Sequence, residues 1–432
     1  MPAAGRRSTL WLWSLVVAAF FSQTALNLVR PVTTYRLLEL GADAAVIGLV
    51  TAAYAVLPVV AALWLGRLTD RVPGLRLLVG GGAVMLGLGA AGLALSPGIA
   101  AVAVASAVLG MGHLVFTIAG QAAIGRFSPN GSLDAGFGWF TAAYAGGQIV
   151  GPLIAGALLG TQGAAGRSAG ITSSFWLGAV LSLLVLPAIV LIGRSSWAGL
   201  SPRRRPGSTT PGPASSAPAA GGGGAAREGA AADGGAAVPR PTMSGILHVP
   251  GVPGQMFASL ALLAMLDILT AFLPLVGEEH GISPAWVGVL LAARGIGTIL
   301  SRGFLPYLSR RFARRTLLRA SLLGAGTGLA VPPLLLDVPW LSLLLLFAGG
   351  VFLGLGQPLT MSLISEAVPH GWRGTALAVR LMGNRVGQVA MPLLAGAAAA
   401  PLGPAGAIWF SCAVLLVSGV QQSATGRRDG RG

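Results

Sequence analysis

Apolar residues in this chain come in runs of about twenty, separated by short polar stretches. A helix of that length spans the hydrocarbon core of a bilayer, which is about 30 Å thick. Of the 432 residues, 54% are hydrophobic and only 9% are charged, whereas a soluble protein carries about 25% charged residues. The sequence therefore predicts an all-α integral membrane protein.

Twelve of these runs are long enough to cross a membrane. They are predicted at residues 10–35, 45–66, 76–95, 99–125, 137–160, 172–193, 252–276, 285–308, 315–336, 340–367, 375–400 and 405–422. The first run follows Arg6 and Arg7 but is longer than the apolar core of a secretory signal, so we expect a retained helix.

Positive charge is distributed unevenly between the two sides of these spans. All 28 basic residues are arginine. With a cytoplasmic N-terminus, the cytoplasmic loops carry the arginine clusters within 67–76, 203–205, 310–315 and 427–428, and the opposite loops hold mainly acidic residues. Because positively charged loops stay inside, we expect a multi-pass protein of the cytoplasmic (inner) membrane with both termini cytoplasmic. The net charge of +16 then reflects topology and attraction to anionic lipid, so no nucleic-acid partner is predicted.

One segment between the sixth and seventh spans differs from the rest of the chain. Residues 199–241 are rich in Pro, Gly, Ala and Ser and contain no aromatic residue. Such a segment cannot bury enough apolar area to offset its ordering entropy, which predicts a flexible linker. The predicted organisation is an N-terminal six-helix bundle (1–193), a cytoplasmic linker (194–249), a C-terminal six-helix bundle (250–422) and a cytoplasmic tail (423–432).

The two bundles are related in sequence. A shift of 240 residues aligns Asn27 with Asp267, Gly48 with Gly288, Gln148 with Gln388 and Pro152 with Pro392. Each half has an even number of spans, so the repeats are parallel and related by an axis along the membrane normal. Two such halves around a central site suit alternating access, in which one half rocks against the other.

The loop between the second and third spans carries a recognisable motif. Residues 66–76 read GRLTDRVPGLR and resemble the signature G-x-x-x-D-R-x-G-R-R of the major facilitator superfamily, with one residue inserted before Gly74 and with Leu75 in place of arginine. A weaker echo, PYLSRRFARR, lies at 306–315. The resemblance implies that superfamily's fold, with twelve transmembrane helices in two pseudo-symmetric six-helix bundles. It also implies secondary transport by alternating access. We expect the proton gradient to supply the energy, with no bound cofactor.

In that family the loop acts as a cytoplasmic latch that is made and broken as the halves rock. An acid at position 70 can pair with arginine and face the positive N-terminus of a helix from the other half, near Arg373. The residues predicted to take part in gating are Gly66, Asp70, Arg71, Gly74, Arg76, Arg310 and Arg311. The alternative is a loop that sets membrane topology only.

A second motif occurs once in each half. GQIVGPLIAG at 147–156 returns as GQVAMPLLAG at 387–396. Small residues four apart share a helix face and allow close helix contact, while a proline removes a backbone hydrogen bond and bends the helix. The residues predicted to serve helix packing are Gly147, Gly151, Pro152, Gly156 and Pro392. The first copy also resembles the fifth-span pattern G-x-x-x-G-P-x-x-G of proton-exchanging exporters, which favours export; packing alone is the alternative.

Polar groups inside the spans indicate where a substrate binds, because each is costly in a bilayer. The resemblance places spans one, four, seven, eight, ten and eleven around a central cavity. The residues predicted to bind substrate are Asn27, Arg30, His113, Arg294, Asn384, Arg385 and Gln388, with Gln23, Gln121 and Gln357 completing a polar wall. The arginines favour a substrate with an anionic group. For Arg30 and Arg380 the alternative is a position near the membrane surface.

Asp267 is the only ionisable residue in the apolar core of the seventh span. A carboxylate at that depth is disfavoured in its charged form, so Asp267 is predicted to take up a proton on one side and release it on the other. A neighbouring arginine, Arg30 or Arg294, would compete with substrate for this acid, so that proton and substrate binding exclude each other. The alternative is a carboxyl group bonded permanently to a neighbouring helix.

Other functional classes lack their signatures. The four histidines show no metal-ligand spacing and Cys412 is the single cysteine, so we predict neither a metal site nor a disulfide framework. No nucleophile motif, phosphate-binding loop or channel filter is recognisable. The sequence predicts a monomeric, proton-coupled transporter in the lipid bilayer, not an enzyme, that exports a small organic molecule. The alternatives are a proton-coupled importer of an organic anion or sugar, and a non-transporting membrane receptor.

Overall fold

The computed structural model describes residues 3–72, 75–127, 133–160, 166–187, 189, 243–369 and 372–428. Twelve long α-helices account for nearly all of them. In chain order they are α1 (Ala3–Glu39), α2 (Ala44–Arg71), α3 (Leu75–Ala94), α4 (Ile99–Phe127), α5 (Leu133–Gly160), α6 (Arg167–Leu183), α7 (Val252–Glu279), α8 (Pro284–Arg311), α9 (Arg314–Ala330), α10 (Pro339–Ala367), α11 (Arg373–Leu402) and α12 (Ala405–Arg428). Short helical segments lie at Val185–Pro187, Met243–Leu247 and Pro332–Leu334. Each predicted span overlaps one long helix, which confirms the predicted twelve-helix, all-α fold.

Eleven helices of the described chain are long and apolar enough to cross a membrane by themselves. The exception is α11, whose middle carries Arg380, Asn384, Arg385 and Gln388. Arg380 and Asn384 are buried inside the protein. The helix tolerates these polar side chains because they face other helices and not lipid.

The repeat extends to the backbone geometry of the turns. The Asp43 side chain caps α2 by accepting a backbone N–H at 2.9 Å, and the Ser283 side chain caps α8 in the same way at 3.3 Å. Gly41 and Gly281 lie two residues earlier with φ of 74° and 65°, a conformation that favours glycine. The two turns, 240 positions apart, therefore have the same glycine conformation and the same kind of helix cap.

The two halves meet mainly through α1 with α7, α2 with α11 and α5 with α8. The last two pairs are equivalent under the repeat, and their backbones approach very closely. A methyl group on Gly48 of α2 would overlap the carbonyl oxygen of Pro392 in α11. A methyl group on Gly288 of α8 would likewise overlap the carbonyl oxygen of Pro152 in α5. Such an approach requires a residue without a side chain.

These contacts lie on the side of the molecule away from the chain termini. On the same side, Thr34 Oγ1 of α1 donates a hydrogen bond to the Ala271 carbonyl of α7 at 2.8 Å. About four to five turns closer to the termini, on the same faces of α5 and α11, the helices have free space beside them. A methyl group on Gly138 or Gly374 would meet no atom within 4 Å there. Among the described residues, the halves therefore touch on the side away from the termini and leave open space beside Gly138 and Gly374 on the other side.

Several predicted elements lie outside the described residues. Most of the 194–249 linker does so, apart from residues 243–249, and so does Gly74. Of the latch residues Gly66, Asp70 and Arg71, only the helical backbone in α2 is described. The cytoplasmic latch therefore stays a prediction.

Described arginines near these loops make contacts within their own half. Arg126 of α4 donates to the carbonyl oxygens of Thr69 and Val72 at 2.6 and 2.8 Å, and so caps the C-terminal turn of α2. Arg314, at the start of α9, forms an ion pair with Glu366 near the end of α10. The remaining predicted gating residues, Arg76, Arg310 and Arg311, are exposed.

Candidate functional site

A polar cavity of about 120 Å³ lies between the halves, near the middle of the helices. The N-terminal half contributes Gln23, Leu26, Asn27, Arg30, Tyr54, His113 and Gln148, and the C-terminal half contributes Leu263, Leu266, Asp267, Thr270, Arg294 and Gln388. Polar and charged side chains are costly at this depth of a membrane protein and mark the path of a substrate or an ion. The cavity is therefore the candidate substrate site.

All but one of the lining residues form pairs that are separated by 240 positions. The pairs are Gln23 with Leu263, Leu26 with Leu266, Asn27 with Asp267, Arg30 with Thr270, Tyr54 with Arg294, and Gln148 with Gln388. His113 alone has no counterpart in the wall. The cavity thus lies on the axis that relates the halves, as expected of parallel transporter repeats. The positions that line the cavity are symmetric, whereas the charges of the residues at those positions are not.

Asp267 is held by contacts from two other helices. Arg30 Nη1 of α1 lies 2.8 Å from its Oδ1, and Gln388 Nε2 of α11 donates to its Oδ2 at 3.0 Å. Gln388 Oε1 in turn accepts a hydrogen bond from Arg385 Nη1 at 2.9 Å. The network crosses between the halves at the contact of Arg30 with Asp267. A buried carboxylate is tolerated when it is paired and hydrogen-bonded in this way.

Arg30 also contacts an aromatic ring of its own half. Its Cζ lies 4.8 Å from the centroid of the Tyr54 ring, which is a cation–π contact. The Tyr54 hydroxyl is 2.7 Å from His113 Nδ1. The other ring nitrogen of His113 is buried and has no hydrogen-bond partner in the described structure. Tyr54 therefore organises one wall of the cavity by positioning both Arg30 and His113.

Arg294 differs from Arg30 because it has no acidic partner. Only 3% of its surface is exposed. Its Nε is buried without a hydrogen-bond partner, and its guanidinium makes no hydrogen bond or ion pair to any other described residue. A buried cation without a directly paired counter-charge is destabilising, so an incoming anion would stabilise Arg294.

The structure brings most of the predicted site residues together. The cavity wall includes Asn27, Arg30, His113, Asp267, Arg294 and Gln388. Arg385 is outside the wall and reaches it through Gln388. Asn384 is buried on the same helix but is not part of the wall, and its Oδ1 has no hydrogen-bond partner among the described residues.

Arg380 belongs to a separate polar cluster in the C-terminal half. It is 4% exposed and donates to Gln357 Oε1 at 2.5 Å and to Thr360 Oγ1 at 3.2 Å. Gln357 donates onward to the Ser259 carbonyl at 2.9 Å. The side chain of Arg380 is therefore held inside the C-terminal half, and that of Arg30 contacts Asp267 inside the cavity.

Sequence reasoning missed three polar residues of the wall. They are Tyr54, Gln148 and Thr270, and each is separated by 240 positions from a predicted site residue. The repeat was therefore the signal that would have found them.

The cassette at 147–156 connects the site with the contact between the halves. A methyl group on Gly147 or Gly151 would collide with α1 beside the cavity residues Gln23 and Asn27. Gly156 instead packs against the first turn of α8 in the other half. One face of α5 therefore supports the cavity wall, and a different face, nearer its C-terminal end, makes the contact with the other half.

An ion pair between the halves lies on the side away from the termini. Arg167, at the start of α6, makes two hydrogen bonds to the carboxylate of Glu278, at the end of α7, one of them from Nη1 at 2.9 Å. The Arg167 Cζ also lies 5.1 Å from the centroid of the Tyr35 ring. Paired hydrogen bonds between arginine and carboxylate fix the relative orientation of the two groups. This contact is therefore part of the closure on that side.

Two related six-helix halves that meet around a polar cavity are the arrangement of an alternating-access membrane transporter. The family model described as Major Facilitator Superfamily matches residues 15–241 and 255–425. The chain therefore belongs to the major facilitator superfamily and is a transporter, not an enzyme.

Solved structures of transporters share this fold. A peptide transporter POT in complex with sulfate is 18% identical and matches over 98% of this chain and 95% of that chain, with a TM-score of 0.68. A POT family transporter in complex with 5-aminolevulinic acid is 14% identical over 95% and 94%, with a TM-score of 0.69. A bacterial homolog of the human lysosomal transporter Spinster, inward-facing and unoccupied, is 16% identical over 97% and 95%, with a TM-score of 0.65. Likeness at these identities shows the fold alone. Comparison with curated protein sequences finds no match.

Proposed function

We propose that this protein is a proton-coupled secondary transporter of a small organic anion that works by alternating access. We place it in the cytoplasmic membrane with both termini in the cytoplasm. The observation that carries the proposal is the ion pair of Arg30 with Asp267, at 2.8 Å, between the two halves. Because this pair combines a group that can take up a proton with a group that can bind an anion, it links the two events.

The sign of that link follows from the charges. Ionised Asp267 holds Arg30, and protonation removes the charge that does so. Arg30 is then free to pair with an anionic group of the substrate. An anionic substrate therefore binds together with the proton, because it replaces the carboxylate on Arg30. The sequence led us to expect that proton and substrate binding exclude each other. That would hold for a substrate that competes with Arg30 for Asp267.

The same pair meets the condition for coupled movement. An empty site has Arg30 paired with ionised Asp267. A loaded site has a neutral acid and Arg30 paired with substrate, so Arg30 has one anionic partner in both forms. A site holding only the proton leaves both Arg30 and Arg294 unpaired, and a site holding only the anion places it beside ionised Asp267, which keeps Arg30; both arrangements are destabilising. The empty and the fully loaded site are therefore the forms that change conformation most readily.

Cotransport with protons moving down their gradient corresponds to import of an organic anion. In that topology the close contacts of Gly48 and Gly288 lie on the outer side of the membrane, and proton and anion would leave on the cytoplasmic side. Export in exchange for protons is the second candidate. It is favoured by the resemblance of residues 147–156 to the exporter pattern.

Transport by purified protein in proteoliposomes tests this proposal. A panel of small labelled acids, with 5-aminolevulinic acid included because a fold neighbour binds it, is offered with and without an imposed pH gradient. We expect acids to accumulate with the gradient in the wild type. Asp267→Asn should lose this accumulation and keep exchange of labelled for unlabelled acid.

The control is Asp43→Asn, because Asp43 caps α2 outside the cavity and asparagine caps equally well. Gradient-driven accumulation that survives in Asp267→Asn would exclude this acid as the coupling group. Uptake of neutral compounds only would contradict the anionic substrate class.

A further inference from the structure

The proposed coupling, in which an anion replaces Asp267 on Arg30, gives no role to Arg294, the second arginine of the cavity wall. The described wall holds two cations, Arg30 and Arg294, and one acid, Asp267. Arg385 adds a further positive charge behind Gln388. A substrate with a single anionic group pairs with Arg30 and leaves Arg294 without a counter-charge.

A comparison with Arg380 shows that Arg294 is not an ordinary buried arginine of this protein. The two are buried to the same degree, at 4% and 3% exposure. Arg380 is hydrogen-bonded to Gln357 and Thr360. Arg294 lines the cavity, and its guanidinium has no hydrogen-bond partner among the described residues. Its hydrogen-bond donors are therefore available to a ligand in the cavity.

The position of Arg294 relative to Arg30 adds a second argument. Arg30 contacts the Tyr54 ring, and Arg294 occupies the position of the C-terminal half that is equivalent to Tyr54. The two arginines therefore come from different halves and line the same cavity at positions that the repeat does not relate to each other. A ligand that binds both of them connects the halves.

We infer that the transported molecule carries two acidic groups, one bound by Arg30 and the other by Arg294. This inference rests on the proposed function and defines the class of its anion. Arg30 and Arg294 line the same cavity, so the two acidic groups must be close enough together to reach both arginines at once. The substrate class is therefore a short dicarboxylate or a similarly compact molecule with two anionic groups.

Binding of matched acids to the purified full-length protein tests the inference without any transport. The probes are malonate, succinate and glutarate, each compared with its monoamide, which has nearly the same shape and one charge fewer. Dissociation constants are measured calorimetrically in lipid nanodiscs. We expect at least one diacid to bind about tenfold or more tightly than its monoamide, because a second charge-assisted hydrogen bond is formed.

Arg294→Gln should remove most of this preference by weakening the diacid and leaving the monoamide nearly unchanged. Arg302→Gln is the matched control, because Arg302 is exposed on the same helix and outside the cavity wall. If Arg294→Gln does not fold, the wild-type comparison of diacid with monoamide decides alone.

Two results would overturn the inference. One is equal affinity of the wild type for each diacid and its monoamide, which includes the absence of saturable binding for all of them. The other is a preference for diacids that Arg294→Gln leaves intact. Failure of the proposed function is a separate outcome: diacids would then be preferred, while an imposed pH gradient would drive no accumulation. Proton-driven uptake of monoacids without a preference for diacids would remove this inference only.

Discussion

Gly288 of α8 lies so close to Pro152 of α5 that a methyl group on the glycine would overlap the proline's carbonyl oxygen. The repeat builds the same contact between Gly48 of α2 and Pro392 of α11. Both contacts lie between the halves, on the side away from the termini. Pro152 and Pro392, one in each copy of the repeated motif at 147–156 and 387–396, therefore lie where the two halves touch.

Gly288→Ala should open that side. Overpacking of this kind costs about 1–3 kcal/mol, which shifts a two-state equilibrium roughly 5- to 150-fold towards the state without the contact. The measurement is the distance between spin labels on Leu95→Cys and Leu334→Cys in a Cys412→Ser background. Both labelled positions are exposed, one in each half.

Gly303→Ala is the matched control for that variant, because a methyl group there meets no atom within 4 Å. We expect Gly288→Ala to gain a longer-distance population and Gly303→Ala to match the wild type. Identical distance distributions in all three proteins would show that the glycine contact does not hold the closed side.

Charge reversal at Arg167 should open the same side by a different route. Arg167→Glu sets two acids against each other where Arg167 now binds Glu278, so the closed state loses an ion pair and gains repulsion. The same spin-label distance should lengthen, and the double variant Arg167→Glu with Glu278→Arg should restore it. Arg314→Glu is the control, since it breaks an ion pair that lies within one half. A double variant as open as the single one would argue against a specific pair.

Arg385→Gln should weaken the binding of acids more than the binding of neutral compounds. Arg385 holds Gln388, which donates to Asp267, and it adds positive charge beside the cavity. We expect roughly tenfold weaker binding of an acid and little change for its fully amidated, neutral analogue. The two dissociation constants, measured on the same purified variant, check this. An equal loss for acid and amide would indicate that Arg385 serves structure alone.

Asp70→Asn tests the cytoplasmic latch implied by the family signature. The variant should insert and fold, yet transport slowly, because it loses the charge that pairs with arginine in one of the two states. Transport rates are compared at equal amounts of correctly folded protein, with Asp43→Asn as the control. An unchanged transport rate in Asp70→Asn would indicate that this loop sets the membrane topology only and is not a latch.

The fold is predictable because its signals are simple. The length of an apolar run determines whether a helix can span the bilayer, and one shift of 240 positions relates the two halves. That shift also relates Tyr54, Gln148 and Thr270 to predicted site residues, so the framework of the cavity was contained in the sequence.

The pairing of charges was not predictable in the same way. From the sequence, either Arg30 or Arg294 could have formed the ion pair with Asp267. Which of them does so depends on how the two halves pack against each other, and in the structure it is Arg30. The pairing of Arg167 with Glu278 likewise joins residues 111 positions apart in different halves. Asn384 shows a further limit, since it precedes Gln388 by one helical turn and yet lies outside the wall.

Proton exchange during substrate binding is the most direct test of the coupling assigned to Arg30 and Asp267. Purified protein in weakly buffered nanodiscs is mixed with an acid that it binds, and the pH of the solution is followed with an indicator dye. We predict that the wild type takes up protons as the anion binds, because the anion replaces Asp267 on Arg30, and that Asp267→Asn takes up none. Proton release on binding, or proton uptake that persists in Asp267→Asn, would contradict this account.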